Sequence, residues 1–336
     1  MQPHSNLRVT MGPFEQLQAL VAQDMDAVNT LIRTRMASEH APRIPEVTAH
    51  LVEAGGKRLR PLLTLAAANL CGYQGSHHQL LAATVEFIHT ATLLHDDVVD
   101  ESAKRRGRPT ANLLWDNKSS VLVGDYLFSR SFQLMVETGN MKALGILANA
   151  SAVIAEGEVL QLSAAQDLST SEAVYLQVVR GKTAALFAAA CEVGAVIADA
   201  PEAQAQALHA YGDALGIAFQ IVDDLLDFGG ASATLGKNIG DDFHERKLTL
   251  PIILAVAKAD DEERAFWQRT IEKGQQNEGD LAHAMQLMDS HGTLAETRQK
   301  ALGWADEARK ALGPLPKSEL KAVLGDLADF VVSRVV

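Results

Sequence analysis

The run VEFIHTATLLHDDVVD, residues 85–100, decides the fold class. Before Asp96 it is apolar on nearly every helical face, which in a soluble protein marks a helix surrounded by other helices. It closes on the cluster Asp96-Asp97-Val98-Val99-Asp100. Residues 205–228 repeat the design, with GIAFQIV running into Asp223-Asp224-Leu225-Leu226-Asp227. A hydrophobic content of 47% with only 5% aromatics means a core of Ala, Leu and Val, a composition that favours helices. Strand-like alternation is nearly absent, so the expected fold class is all-α.

Helix breaks fall at Pro42 to Pro45, Gly72 to Ser76, Gly107 to Pro109, Thr138 to Asn140, Ser163 to Ser171, Asp199 to Pro201, Gly229 to Gly240 and Gly313 to Pro316. Ser169 with Glu172 has the spacing of a capping box. From about 258 to 310 the chain is rich in Glu, Gln, Lys and Asp, which reads as peripheral helices. No Pro-, Gly- or Ser-rich linker divides the 336 residues, so one domain spanning 1–336 is expected, with 1–12 disordered. Met1 and Met11 both remain open as the native start.

A net charge of -12 argues against a nucleic-acid partner, which needs a basic face. Cys71 and Cys191 sit in apolar runs and read as buried thiols in a reducing compartment. The N-terminus lacks an apolar signal core, and no uninterrupted apolar run reaches the ~18 residues of a membrane span. A cytoplasmic protein without a membrane span is the expectation.

Asp96 and Asp100 are four apart and stack on one helix face, as do Asp223 and Asp227, while Asp97 points aside. A cation between stacked carboxylates removes their repulsion. Oxygen-only ligands without a cage of loop carbonyls point to magnesium shared with substrate phosphates. One such cluster could be two exposed helix-end aspartates; a pair of them, each ending a core helix, reads as a site.

Cations gather beside the clusters. Lys57 and Arg60, three apart in GGKRLRP, can grip one diphosphate, and cations at a helix N-terminus are unfavourable unless an anion is present. The adjacent Arg105 and Arg106 could serve two different phosphates. Gly181-Lys182-Thr183 puts a lysine inside an apolar helix, where it needs an anionic partner or a route to solvent. Lys237, Asn238, Asp241, Asp242 and Lys247 add charge after the second cluster. His89 lies two turns below Asp96; a lone helical histidine is more often core than ligand, but that face leads into the site.

Together HDDVVDESAKRRGRPT, GGKRLRP, GKT, FQIVDDLLDF and LGKNIGDDFHERKLTLP resemble the all-trans polyprenyl diphosphate synthases, over roughly residues 45 to 255 and again in the closing segment. The resemblance implies the isoprenoid synthase fold, a homodimer of helices around a deep central cavity. It implies magnesium, three ions per site, held by Asp96, Asp100 and Asp223 with Asp97 and Asp227 in support. Arg105, Lys182, Thr183, Gln220 and Lys237 would hold the allylic diphosphate, and Lys57, Arg60, His89 and Arg106 isopentenyl diphosphate. Metal-assisted departure of diphosphate leaves an allylic cation that the isopentenyl double bond attacks.

Product length turns on the helix below Asp96. Ala91 and Thr92 lie about 6 to 8 Å down it and are small. In the family a bulky aromatic there stops the product early, and bacterial short-chain members carry two extra residues in the first motif. This chain has neither, and is similar instead to the octaprenyl to decaprenyl enzymes of quinone side chains. Phe87, Ile88, Phe132 and Met135 are candidates for the cavity floor, though core packing is the commoner role for each. So apolar a product implies a peripheral membrane contact for its release. Alternatives are a geranylgeranyl or farnesyl diphosphate synthase and a non-catalytic subunit, which usually lacks one aspartate motif. A terpene cyclase would leave Lys57, Arg60 and Arg106 without a ligand.

Overall fold

The computed structural model describes residues 11–53, 55–105, 107–229 and 239–334. It is all-α, as expected. Helices α1 (Pro13–Leu20), α2 (Ala22–Arg35) and α3 (Arg43–Glu53) lead into α4 (Leu59–Leu70) and the long α5 (His77–Val99). A hairpin of two-residue strands, β1 (Lys104–Arg105) and β2 (Arg108–Pro109), is the only sheet among the described residues. It turns the chain into α6 (Ala111–Leu114), α7 (Asn117–Glu137) and α8 (Met141–Ala164). Next come α9 (Glu172–Val179), a π-helical turn at Arg180–Ala184, α10 (Ala185–Ile197) and α11 (Glu202–Phe228). The chain then runs through α12 (Asp241–His244), α13 (Leu250–Lys258), α14 (Asp261–Trp267), a second π turn, α15 (Asp280–Ser290), α16 (Thr293–Ala311) and α17 (Glu319–Ser333).

The centre is built from α4, α5, α10 and α11, and small residues set their spacing. In α10, ALFAAACEVGAVI is buried almost throughout, so neighbours pack against it on every side. At Gly212 of α11 a Cβ would lie 2.4 Å from the Phe187 carbonyl of α10, closer than any side chain allows. Gly181 and Gly157 meet in the same way: a Cβ on Gly181 would stand 2.7 Å from the Gly157 Cα, so the π turn presses directly on α8.

A second, smaller core of Phe228, Phe243, Ile252, Trp267, Ile271 and Met288 sits beyond the end of α11. Two of its members, Phe228 at the end of α11 and Phe243 in α12, pack there with residues of α13–α15.

Two local expectations are corrected. Helix α16 is not peripheral: its Thr297, Ala301, Ala305 and Ala308 are buried, and it packs along α11. Small residues at helical spacing carry that contact, and the charges between them face solvent. The cap of α9 is Ser171, whose Oγ accepts the Val174 N–H, because Ser169 is held in a turn by Asp167.

One helix among the described residues, α8 (Met141–Ala164), is long and apolar enough to cross a membrane by length and composition. It is packed against α7, α10 and the π turn, and carries Glu158 into the interior.

Candidate active site

The long helices α5 and α11 each end in an aspartate cluster. Asp96 is half-buried at the end of α5, and burial pushes its carboxyl up to about 7; Glu158 and Asp100 push the same way, against Lys182 and Arg105. Asp97 does not merely point aside. It is fully buried, and its Oδ1 accepts Arg105 Nε at 2.9 Å and a second guanidinium nitrogen at 2.8 Å. Arg105 therefore lies back from β1 onto the cluster. Burial still raises the Asp97 carboxyl, with Arg105 opposing. Asp100 caps α5, donating its N–H to the Asp96 carbonyl at 2.8 Å.

At the end of α11 both Asp224 and Asp227 are buried. Asp224 accepts the Tyr175 hydroxyl at 2.6 Å and Gln220 Nε2 at 2.7 Å, while Gln220 Oε1 accepts the Thr183 hydroxyl at 2.8 Å. These bonds fix the Gln220 amide and tie α9, the π turn and α11 into one polar relay. Burial raises the Asp224 carboxyl, and its hydrogen bonds oppose that rise. Asp227 is buried, and its Oδ2 accepts the Asp242 N–H at 3.0 Å, shaping the start of α12.

Lys182 has its anionic partner in Glu158 of α8, at 3.1 Å. Lys247 pairs with Glu245 and faces Asp242; burial works against its charge, but these carboxylates and Asp100 raise its pKa. Because Lys247 acts on Asp100 and on Asp224, the two clusters share one electrostatic neighbourhood. Among the described residues no three His, Cys, Asp or Glu side chains form a metal-holding group by themselves. A cation here would need oxygens from a phosphate ligand. The donors suit one: Asp97 Oδ2 and Glu158 Oε1 are buried carboxylate oxygens without a hydrogen-bond partner.

Beside the first cluster, a pocket lies between the α3–α4 loop, α5 and the hairpin, with Gly56, Arg58, His89, Asp97 and Arg105 in its wall. Arg58 is at φ 47° and reaches Glu86 at 2.7 Å. Arg60 lies over the Phe187 ring at 4.4 Å, with a guanidinium nitrogen 3.2 Å from His89 Nε2. Since arginine only donates, that His89 nitrogen accepts. Lys57 stands above the Phe14 ring at 5.7 Å. Arg106 and Lys237 lie outside the described residues.

Below Asp96, Ala91, Phe87 and Ile88 are fully buried in the main core, as is Met135 of α7, and the Thr92 hydroxyl bonds the His89 carbonyl at 2.8 Å. Phe132, the remaining floor candidate, is turned outward on α7, 37% exposed and edge-on to Phe128. Sequence reading passed over Glu158, Tyr175, Glu86 and the enclosed role of Asp224. The signal for Glu158 was a glutamate beside a glycine in an otherwise apolar helix; the others announce themselves only through long-range contacts.

Helical core, paired carboxylate clusters and converging cations define a site for diphosphate chemistry of the isoprenoid synthase fold. Residues 41–288 match the polyprenyl synthetase family, and the chain belongs to it, as a prenyltransferase. An octaprenyl diphosphate synthase of Haemophilus influenzae is 43% identical over 95% of this chain and 97% of its own length. The crystal structure of a decaprenyl diphosphate synthase from Rhodobacter capsulatus is 73% identical with a TM-score of 0.94, covering 96% of this chain and 100% of that one. A polyprenyl synthase from Caulobacter crescentus, complexed with calcium and isoprenyl diphosphate, is 54% identical with a TM-score of 0.92, covering 97% and 99%.

Proposed function

We propose that this chain extends an allylic diphosphate, farnesyl or similar, by successive isopentenyl units to octaprenyl–decaprenyl length, as a cytoplasmic supplier of a quinone side chain. The length reading rests on Ala91, a small residue fully buried on α5 below Asp96 in place of a bulky aromatic that would stop a growing chain. The names of the Haemophilus and Rhodobacter relatives support it.

Asp96, Asp97, Asp100, Asp223 and Asp227 would hold magnesium, three ions with a diphosphate, in keeping with the unpartnered carboxylate oxygens and with calcium in the Caulobacter relative. Bound metal supplies charge neutralisation for the leaving diphosphate. Lys182, Arg105, Thr183, Gln220 and Lys237 hold that diphosphate, Lys182 exchanging Glu158 for phosphate oxygens. Lys57, Arg60, His89 and Arg106 hold isopentenyl diphosphate beside it. The C–O bond breaks, a C–C bond forms to the isopentenyl double bond, and a proton leaves; the apolar wall keeps water from the cation. The product's length calls for a peripheral membrane contact at release.

Protein supplied with magnesium, farnesyl diphosphate and labelled isopentenyl diphosphate is expected to make products longer than geranylgeranyl, and Ala91→Phe to shorten them with turnover retained. Absence of label in product would sink the synthase reading; a wild-type product stopping at geranylgeranyl would sink the length alone.

A further inference from the structure

We propose that His50 is a positioning residue that joins the two walls of the isopentenyl diphosphate pocket. The inference rests on the proposed function, with the pocket beside the first cluster, which His89 lines, taken as the isopentenyl diphosphate site, and deepens it. One wall is the end of α3 and the Gly55–Arg58 loop; the other is the β1–β2 hairpin, through Pro109. Each wall is separately moored to its own neighbours. The loop is held by Arg58 on Glu86 at 2.7 Å. The hairpin is held by Arg105 on Asp97 and, at its base, by the Thr110 hydroxyl on the Ser102 carbonyl at 2.6 Å.

His50 spans the gap. It projects from α3, and its Nε2 lies 2.9 Å from the Pro109 carbonyl of β2. A carbonyl only accepts, so Nε2 is the protonated, donating nitrogen. The ring is set edge-on to Trp115, centroids 5.7 Å apart at 78°, which fixes its direction just beyond α6. His50 and Pro109 themselves line the pocket, so the bond sits at its rim. A diphosphate seated between the two walls meets a pocket whose width this bond sets; without it the ligand has to draw the walls together at its own cost in binding.

The test uses the full-length protein and three chains: wild type, His50→Ala and His50→Gln, the last keeping a side-chain N–H that can reach the carbonyl. For His50→Ala the KM for isopentenyl diphosphate is expected to rise about five- to ten-fold, the worth of one hydrogen bond, with kcat and the KM for farnesyl diphosphate within about two-fold of wild type. His50→Gln should recover most of the loss. Isothermal titration with isopentenyl diphosphate, without turnover, should show the same ranking. An unchanged KM for isopentenyl diphosphate overturns the proposal. So does a fall in kcat shared by both variants with a lowered Tm, which would make His50 a structural residue. If the wild type binds and incorporates no isopentenyl diphosphate, the reading of the pocket fails first.

Discussion

At the scale of single residues, the site is a set of carboxylates that burial makes reluctant to ionise. Asp96, at about 7 in the folded chain, keeps its proton where the unfolded chain, near the ordinary aspartate value of 3.8, has lost it. The native state then binds more protons than the unfolded state across that window, so this group's contribution to stability falls as pH rises from about 4 to 7 and levels off above. Asp97 and Asp224 are raised by the same cause and act with the same sign. Magnesium held by these carboxylates would require their ionised forms, so its binding would strengthen over the same interval. Melting curves at about pH 5.5 and about pH 8 should show magnesium with pyrophosphate stabilising the protein more at the higher pH, and Asp96→Asn should flatten the metal-free slope. An identical slope in Asp96→Asn would remove Asp96 as its source. The stacked carboxylate pairs were legible from their spacing; that Asp97, Asp224 and Asp227 are the buried members was not. Their partners, Arg105 folded back from β1 onto Asp97, Tyr175 49 positions from Asp224, and the Asp242 N–H on Asp227, belong to the tertiary structure.

At the scale of helices, the central elements were legible because their apolar faces run nearly all the way round, and their ends because aspartates stop them. The dockings were less so. Helix α16 hid its buried Ala and Thr stripe among charges, and the crossing of α8 with the π turn depends on two glycines that, taken singly, read as mere weak points in helices. Their closeness makes a sharp prediction. In Gly181→Ala the new methyl meets Gly157 Cα at 2.7 Å and the Val153 carbonyl at 3.1 Å, so the π turn must move, at a cost of roughly 1–3 kcal/mol. Lys182 moves with it, and the KM for the allylic substrate should rise. Gly303→Ala, on the exposed face of α16 with nothing within 4 Å, should instead stabilise by about 0.5–1 kcal/mol through lower backbone entropy. Urea titration of both variants measures the two signs; a harmless Gly181→Ala would mean that α8 and the π turn are not in such contact in solution.

At the scale of the whole molecule, the interior accounts for α4, α5, α10 and α11, but not for the outer face of α7 and α8. There Leu122, Val136 and Val159 are each about two-thirds exposed, with Leu162 and Phe132 among them. So large an apolar surface on helices next to the site is unusual for a monomer and is suited to a protein interface. An isologous homodimer would cover it with the same face of a second copy. It would also explain why Phe132 points away from the single-chain core and why α8 is apolar enough to resemble a membrane span while carrying Glu158 inward. The expected mass by sedimentation is that of two chains. Leu122→Glu with Val136→Glu, which puts like charges on this face of both copies, should give monomers, since several kcal/mol of repulsion and lost burial would fall on one interface. If the doubly substituted protein still sediments as a dimer, the interface lies elsewhere; if the wild type is monomeric at micromolar concentration, this face is open and the homodimer reading fails.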